Sequence, residues 1–236
     1  MSLCGRLTAL LAAALLAAAL AACGDGGGAG GISEDDLASM VPTKADLGQD
    51  FAGFQESATL DTNEGRLQTA DDPEDEQKDQ QTFGRVVGYD RDLAASVATI
   101  QADAPLLIHI GVTLFKDGDG ASGYLNDDIG DIQALVGRTD LGLVLEAVDR
   151  FEVPPLGDES MGLRTRASAP AGEGGPETVY VTYFWFRRDR IIGDVALARA
   201  DDTDVSQQAE TLASLLDERI QRVLSGPPTP LPTNTP

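Results

Sequence analysis

The chain has one histidine, two cysteines and one tryptophan in 236 residues. Zinc and related metals want clusters of His and Cys, and a chain this poor in both has none to offer. A Ser-His-Asp triad would have to use His109, and that residue sits in "LLIHIGVTLF" among isoleucines, as a packed strand residue does. Ser160 in "DESMG" is the nearest approach to a nucleophile elbow, but Asp158 stands where the first glycine of that motif belongs. We read "LGDES" as a turn whose side chains bond local backbone. No phosphate-binding loop or dinucleotide fingerprint occurs. Positive charge is scarce too: 17 Lys and Arg face 39 Asp and Glu, a net charge of −22. Such a surface repels phosphate backbones and anionic lipid, so nucleic acid is excluded as a partner.

Hydrophobic and charged fractions of 42% and 24% are those of a globular protein with a sizeable core. The first 22 residues carry one charge, Arg6, and then an alanine-leucine run broken only by Thr8. A charged start, an apolar middle and small residues at the end are the layout of a secretory signal, and the run is too short and alanine-rich for a transmembrane helix. The only possible disulfide partner of Cys23 is Cys4, which lies inside that signal. "LAAC" at Leu20 to Cys23, followed by Gly24, resembles the lipobox of bacterial lipoproteins. The resemblance implies cleavage before Cys23 and a diacylglyceryl group on its sulfur, hence a membrane partner reached through a lipid anchor. The mature chain loses Arg6 and stands at −23. "GDGGGAGG", residues 24–31, reads as a flexible tether spanning on the order of 15 Å.

Beyond the tether, Ser33 followed by Glu34, Asp35 and Asp36 starts a short helix that Pro42 ends. Strands are predicted over 51–60, 82–92, 106–115, 144–153, 178–186 and 191–198, with another after the "LGDES" turn. Residues 71–79, "DDPEDEQKD", have six acids and no hydrophobe and read as a solvated loop. Residues 116–136 pass through a glycine turn into an amphipathic helix that turns Ala121, Leu125, Ile129, Ile132 and Val136 inward, and a closing helix over 204–224 does the same with Ala209, Leu212, Leu216, Ile220 and Val223. Asp117, Asp119 and Asp128 have the outer spacing of a calcium loop, but Ala121 and Ser122 stand where an oxygen ligand and a glycine belong; a helix cap is the better account. "GVTLFKD" and "YVTYFWFRRD" are similar enough to suggest duplicated strands.

The pattern predicts an α+β fold, a mostly antiparallel sheet backed by helices. Its expected parts are a signal peptide (1–22), a lipidated tether (23–32), one extracytoplasmic domain (33–225) and a disordered Pro/Thr-rich tail (226–236). With its lipobox, loop-rich acidic body and Pro-Thr tail, the chain resembles the envelope lipoproteins of bacteria, a likeness that carries no activity. On strand 178–186, Val179, Val181, Tyr183 and Trp185 share one face and Tyr180, Phe184 and Phe186 the other. If one face is open, Tyr180, Phe184 and Phe186, with Arg187, Arg188 and Arg190 at the adjacent turn, form the candidate ligand surface. The expectation is a binding module without catalytic residues, metal or cofactor, whose partner is a small ligand or an envelope protein. A carboxylate-dependent glycan hydrolase and a calcium-dependent adhesion module are the alternatives.

Overall fold

The computed structural model describes residues 31–95, 105–140, 143–168 and 178–226. The signal, Cys23, almost all of the tether, the loop at 169–175 and nearly all of the tail lie outside the described residues. The body is α+β. In chain order its elements are α1 (Glu34–Met40), α2 (Lys44–Leu47), a 3-10 turn (Gln49–Phe51), β1 (Phe54–Thr62), α3 (Asn63–Thr69), α4 (Pro73–Phe83), β2 (Arg85–Ala95) and β3 (Leu107–Phe115). There follow α5 (Gly118–Ala134), β4 (Thr139–Asp140), β5 (Leu143–Phe151), β6 (Glu159–Ser168), β7 (Thr178–Arg188), β8 (Ile191–Arg199) and α6 (Ser206–Leu224). The strands form one eight-stranded sheet in the order β1-β2-β3-β8-β7-β6-β5-β4, and every pairing is antiparallel. Among the described residues no helix is long and apolar enough to cross a membrane.

Period-two alternation sends successive residues to opposite faces, and both faces are covered. On one, α1 and α6 press Leu37, Met40, Leu212, Leu216 and Ile220 onto Ile108, Ile110, Val112, Phe184, Phe186, Val195 and Leu197. Each such side chain contributes roughly 1.5–3 kcal/mol by leaving water. On the other, α5 packs Ala121, Tyr124, Leu125, Ile129 and Ile132 against Leu163, Val181, Tyr183, Trp185, Ile192 and Ala196. β3 and β8 lie side by side at the middle of the sheet. The two similar stretches differ in setting: β3 runs into a helix and β7 into a hairpin, and both pair with β8.

Caps set most boundaries. The Ser33 hydroxyl accepts from Asp36 N–H and the Asp36 carboxylate accepts from Ser33 N–H, a reciprocal capping box. Asp117 accepts from Gly120 N–H at 2.8 Å, so the acid-glycine string after β3 is a helix start. The acidic stretch 71–79 is no loop. Asp72 caps α4 by accepting from Glu74 and Asp75 N–H, Pro73 takes the first turn, and Gly84 ends the helix at φ 67°. Acids suit that first turn because they face the positive end of the helix dipole. The helix hides its inner side from a hydropathy reading, since that side carries the buried Glu76 and Gln80. Val136 is a second correction: α5 ends at Ala134, and Val136 is 44% exposed instead of facing the core.

Candidate functional site

The α5 face of the sheet is apolar at Leu163, Val181, Tyr183, Trp185, Ile192 and Ala196 and polar toward β2 and β3. In register, His109 of β3 stands between Asp92 of β2 and Ala196 of β8, and Gly111 between Asp90 and Asp194. All six therefore project from one face. His109 Nδ1 lies 2.8 Å from Asp92 Oδ1. His109 Nε2 lies 3.0 Å from Asp194 Oδ2 and 3.9 Å from Asp90 Oδ1. The contact with Asp194 is an ion pair off the N–H axis, with no well-directed hydrogen bond at Nε2. Gly111 makes the gathering possible. A Cβ there would stand 2.6 Å from Asp90 Oδ1, 2.9 Å from Asp194 Oδ1 and 3.1 Å from His109 Nε2.

Asp194 is 4% exposed. The side chains of Asp92 and Asp90 are 22% and 27% exposed, so the cluster opens to solvent on the β2 side. Burial pushes the His109 ring toward neutrality, but the carboxylates of Asp194, Asp92 and Asp90 override it and hold the ring pKa well above its usual 6.5. Beside the cluster, Thr113, Tyr124, Leu125, Asp128, Trp185, Ile192 and Asp194 line a cavity of about 10 Å³. That is the room of one water molecule.

A second polar network continues from Tyr124 under α3 and α4. Arg66 Nε donates to Glu76 at 2.9 Å, and Arg66 Nη1 donates to Asp61 at 3.2 Å. Arg66 also reaches the Tyr124 hydroxyl at 3.4 Å. Arg85 bridges Asp61 and Asn63, whose side chain donates back to the Arg85 carbonyl at 3.0 Å. The charged helix α4 is docked by these contacts.

Among the described residues, Ser160, the nucleophile candidate of the sequence, does not reach the imidazole. Ser160 pairs with Phe186 in register and so belongs to the α6 face, with the sheet between it and His109. Its hydroxyl donates to the Pro154 carbonyl, the local backbone bond of a turn. Among the described residues no group of three or more His, Cys, Asp or Glu is arranged to hold a metal ion.

The aromatic and arginine residues singled out above do not converge. Phe184 and Phe186 are 0% exposed in the α6-face core, which corrects the expectation of an open aromatic surface: β7 is an inner strand covered on both sides. Tyr180 is half-buried on that same face, opposite Arg199. Arg187 and Arg188 follow strand parity onto opposite faces. Arg187 bonds Glu159 and Asp158 at 2.9 and 3.1 Å, and Arg188 holds the buried Asp217 of α6 through two bonds of 2.6 and 2.9 Å. Arg190 sits partly exposed in the two-residue turn, after Asp189 at φ 52°. What sequence reasoning missed is the set Asp90, Asp92, His109 and Asp194. Its signal was an isolated acid or imidazole at period two inside apolar strands, in "GYDRD", "IHIG" and "IGDVA".

No protein-family model matches the chain, and no curated protein matches it either. Its fold is similar to the crystal structure of the extracellular domain of PknH from Mycobacterium tuberculosis. That similarity has a TM-score of 0.52 at 11% identity and covers 82% of this chain and 99% of that one.

Proposed function

We propose that this chain is an extracytoplasmic lipoprotein, anchored through Cys23, whose single domain binds a ligand or an envelope partner and catalyses nothing. The observation that carries the reading is "LAAC" at Leu20 to Cys23, set between a signal-like segment and a glycine tether that leads directly to the capped start of α1. Two or three acyl chains anchor far more firmly than one, each buried methylene adding roughly 0.8 kcal/mol. The tether then holds an acidic body off the bilayer it is tied to. The fold it shares with a domain described as extracellular supports the same side of the membrane. The sheet that stands between Ser160 and His109 supports binding over chemistry, and the partly exposed carboxylates of Asp90 and Asp92 support the α5 side as the face that meets a donor-bearing ligand.

Metabolic labelling with a fatty acid tests the anchor. The chain takes up label and partitions into detergent, and Cys23→Ser loses both; label retained by Cys23→Ser overturns the assignment. Native mass spectrometry of the full chain in detergent tests the domain. Mass lost on denaturation identifies a carried ligand. Hydrolysis of envelope glycans that disappears in Asp90→Asn would replace the binding module by an enzyme.

A further inference from the structure

We propose that β1 is a docking edge for a second copy of this chain: two β1 strands pair antiparallel about a twofold axis at Ala58 and join the two sheets into one. The two ends of the sheet are finished differently. At one, β4 is two residues long, β5 breaks register between Leu145 and Ala147, and Glu146, Asp149 and Arg150 of β5 are exposed. Short strands, bulges and charges are the devices that keep an edge from pairing. At the other, β1 runs nine residues, "FQESATLDT", without proline, lysine or bulge, and Gln55, Glu56, Ser57, Ala58 and Thr59 are exposed.

The ladder fixes which backbone groups of β1 point outward. Ala95 N–H donates to the Leu106 carbonyl at 2.9 Å, toward β3. Its β1 partner, Phe54, therefore turns its own N–H and C=O away from β2. The Phe54 carbonyl accordingly accepts from Lys44 Nζ at 3.0 Å. Parity along the unbroken register turns the backbone groups of Glu56, Ala58 and Leu60 outward as well. Centred on Ala58, two copies exchange two hydrogen bonds between the Ala58 residues and two more in each of the flanking Glu56–Leu60 pairs.

Side chains agree with that register. Ser57 meets Thr59, Gln55 meets Asp61, Glu56 meets Leu60 and the two Ala58 methyls meet at the axis, so no like charges stand opposite. Glu56 is already held by Arg91 and the Lys44 N–H, and Asp61 by Arg66 and Arg85. α2 sits at the Phe54 end on the α6 side, where Glu56 stands opposite the buried Leu93. α3 follows Thr62 at the other end, on the α5 side. In the pair, α2 of one copy and α3 of the other lie on opposite faces of the joined sheet, which keeps them from meeting. A strip this narrow buries less than the roughly 1,200 Å² of a standard interface, so the dimer is weak and forms at high local concentration. Two bodies of −22 repel, so added salt tightens it.

Oxidative cross-linking of the full chain in excess detergent tests the register. Ala58→Cys sets two thiols at the axis, where paired Cα atoms stand about 5.5 Å apart, and gives a disulfide dimer. Gln55→Cys, roughly 20 Å from its copy, gives none beyond the background of Cys4 and Cys23 in the wild-type chain. In sedimentation equilibrium the wild-type chain dimerises, and sodium chloride tightens the dimer. Ala58→Pro removes one outward N–H from each copy, a change that a lone edge strand tolerates, and weakens the dimer about thirtyfold. Equal cross-linking of Ala58→Cys and Gln55→Cys, or a monomer at every concentration, overturns the proposal. So does a dimer that salt disperses or that Ala58→Pro leaves intact, since another surface then holds it. The cross-linking contrast decides the matter even where Ala58→Pro fails to fold.

Discussion

The two faces of the central strands make the most instructive comparison in the molecule. β8 sends Ile191, Gly193, Val195 and Leu197 to one side and Ile192, Asp194, Ala196 and Ala198 to the other. Toward α6 the partners are Ile108, Ile110, Val112, Phe184 and Phe186, an apolar contact with the Arg188–Asp217 pair at its edge. Toward α5 the same backbone carries His109, Gly111, Thr113 and Asp194, small or ionisable residues that leave a water-sized cavity. A sheet buried on both sides needs one well-packed face for stability. The other is then free to hold charge, provided each charge is paired.

Unfolding in denaturant sharpens or breaks that contrast. The largest loss is expected on the apolar face: Phe184→Ala removes a fully buried ring and costs about 4 kcal/mol, read as a lower midpoint with unchanged slope. Asp194→Ala costs about 3 kcal/mol at pH 6, where it strips a buried partner from the His109 imidazolium, and less at alkaline pH. If Asp194→Ala costs nothing at pH 6, the charged face holds nothing together. Gly111→Ala inserts a methyl among three polar atoms and costs about 2 kcal/mol. Its loss should shrink when Asp90 is also changed to Ala, because the closest clash is with that carboxylate. The smallest effect belongs to the rim. Arg188→Ala takes two hydrogen bonds from Asp217 and leaves it the one from Gln221, for about 1 kcal/mol.

Legibility in the sequence followed the same division. The α6 face could be read from Phe184, Phe186, Leu212, Leu216 and Ile220, because apolar residues at period two or 3.6 declare their own burial. Even so, the aromatics of β7 looked as fit for a ligand as for a core until both faces proved covered. Helix α4 was illegible, because Glu76 and Gln80 point inward and Arg66 and the Asn63 carbonyl, from another helix, make that tolerable. His109 looked like an ordinary packed residue for the same reason. Its meaning lies in Asp92 and Asp194, and the second is 85 positions away.

Alternation, caps and the alanine-leucine run are local, so the chain by itself determined that there are strands, that the first, the α5 and the closing helix form, and that residues 20–23 have the form of a lipidation signal. Which strands lie side by side is not local. Only the sheet order β2-β3-β8 brings two acids of one strand, the single imidazole of the next and the one acid of a third onto one face. An ion pair is a property of distance, and distance between remote residues is set by the fold.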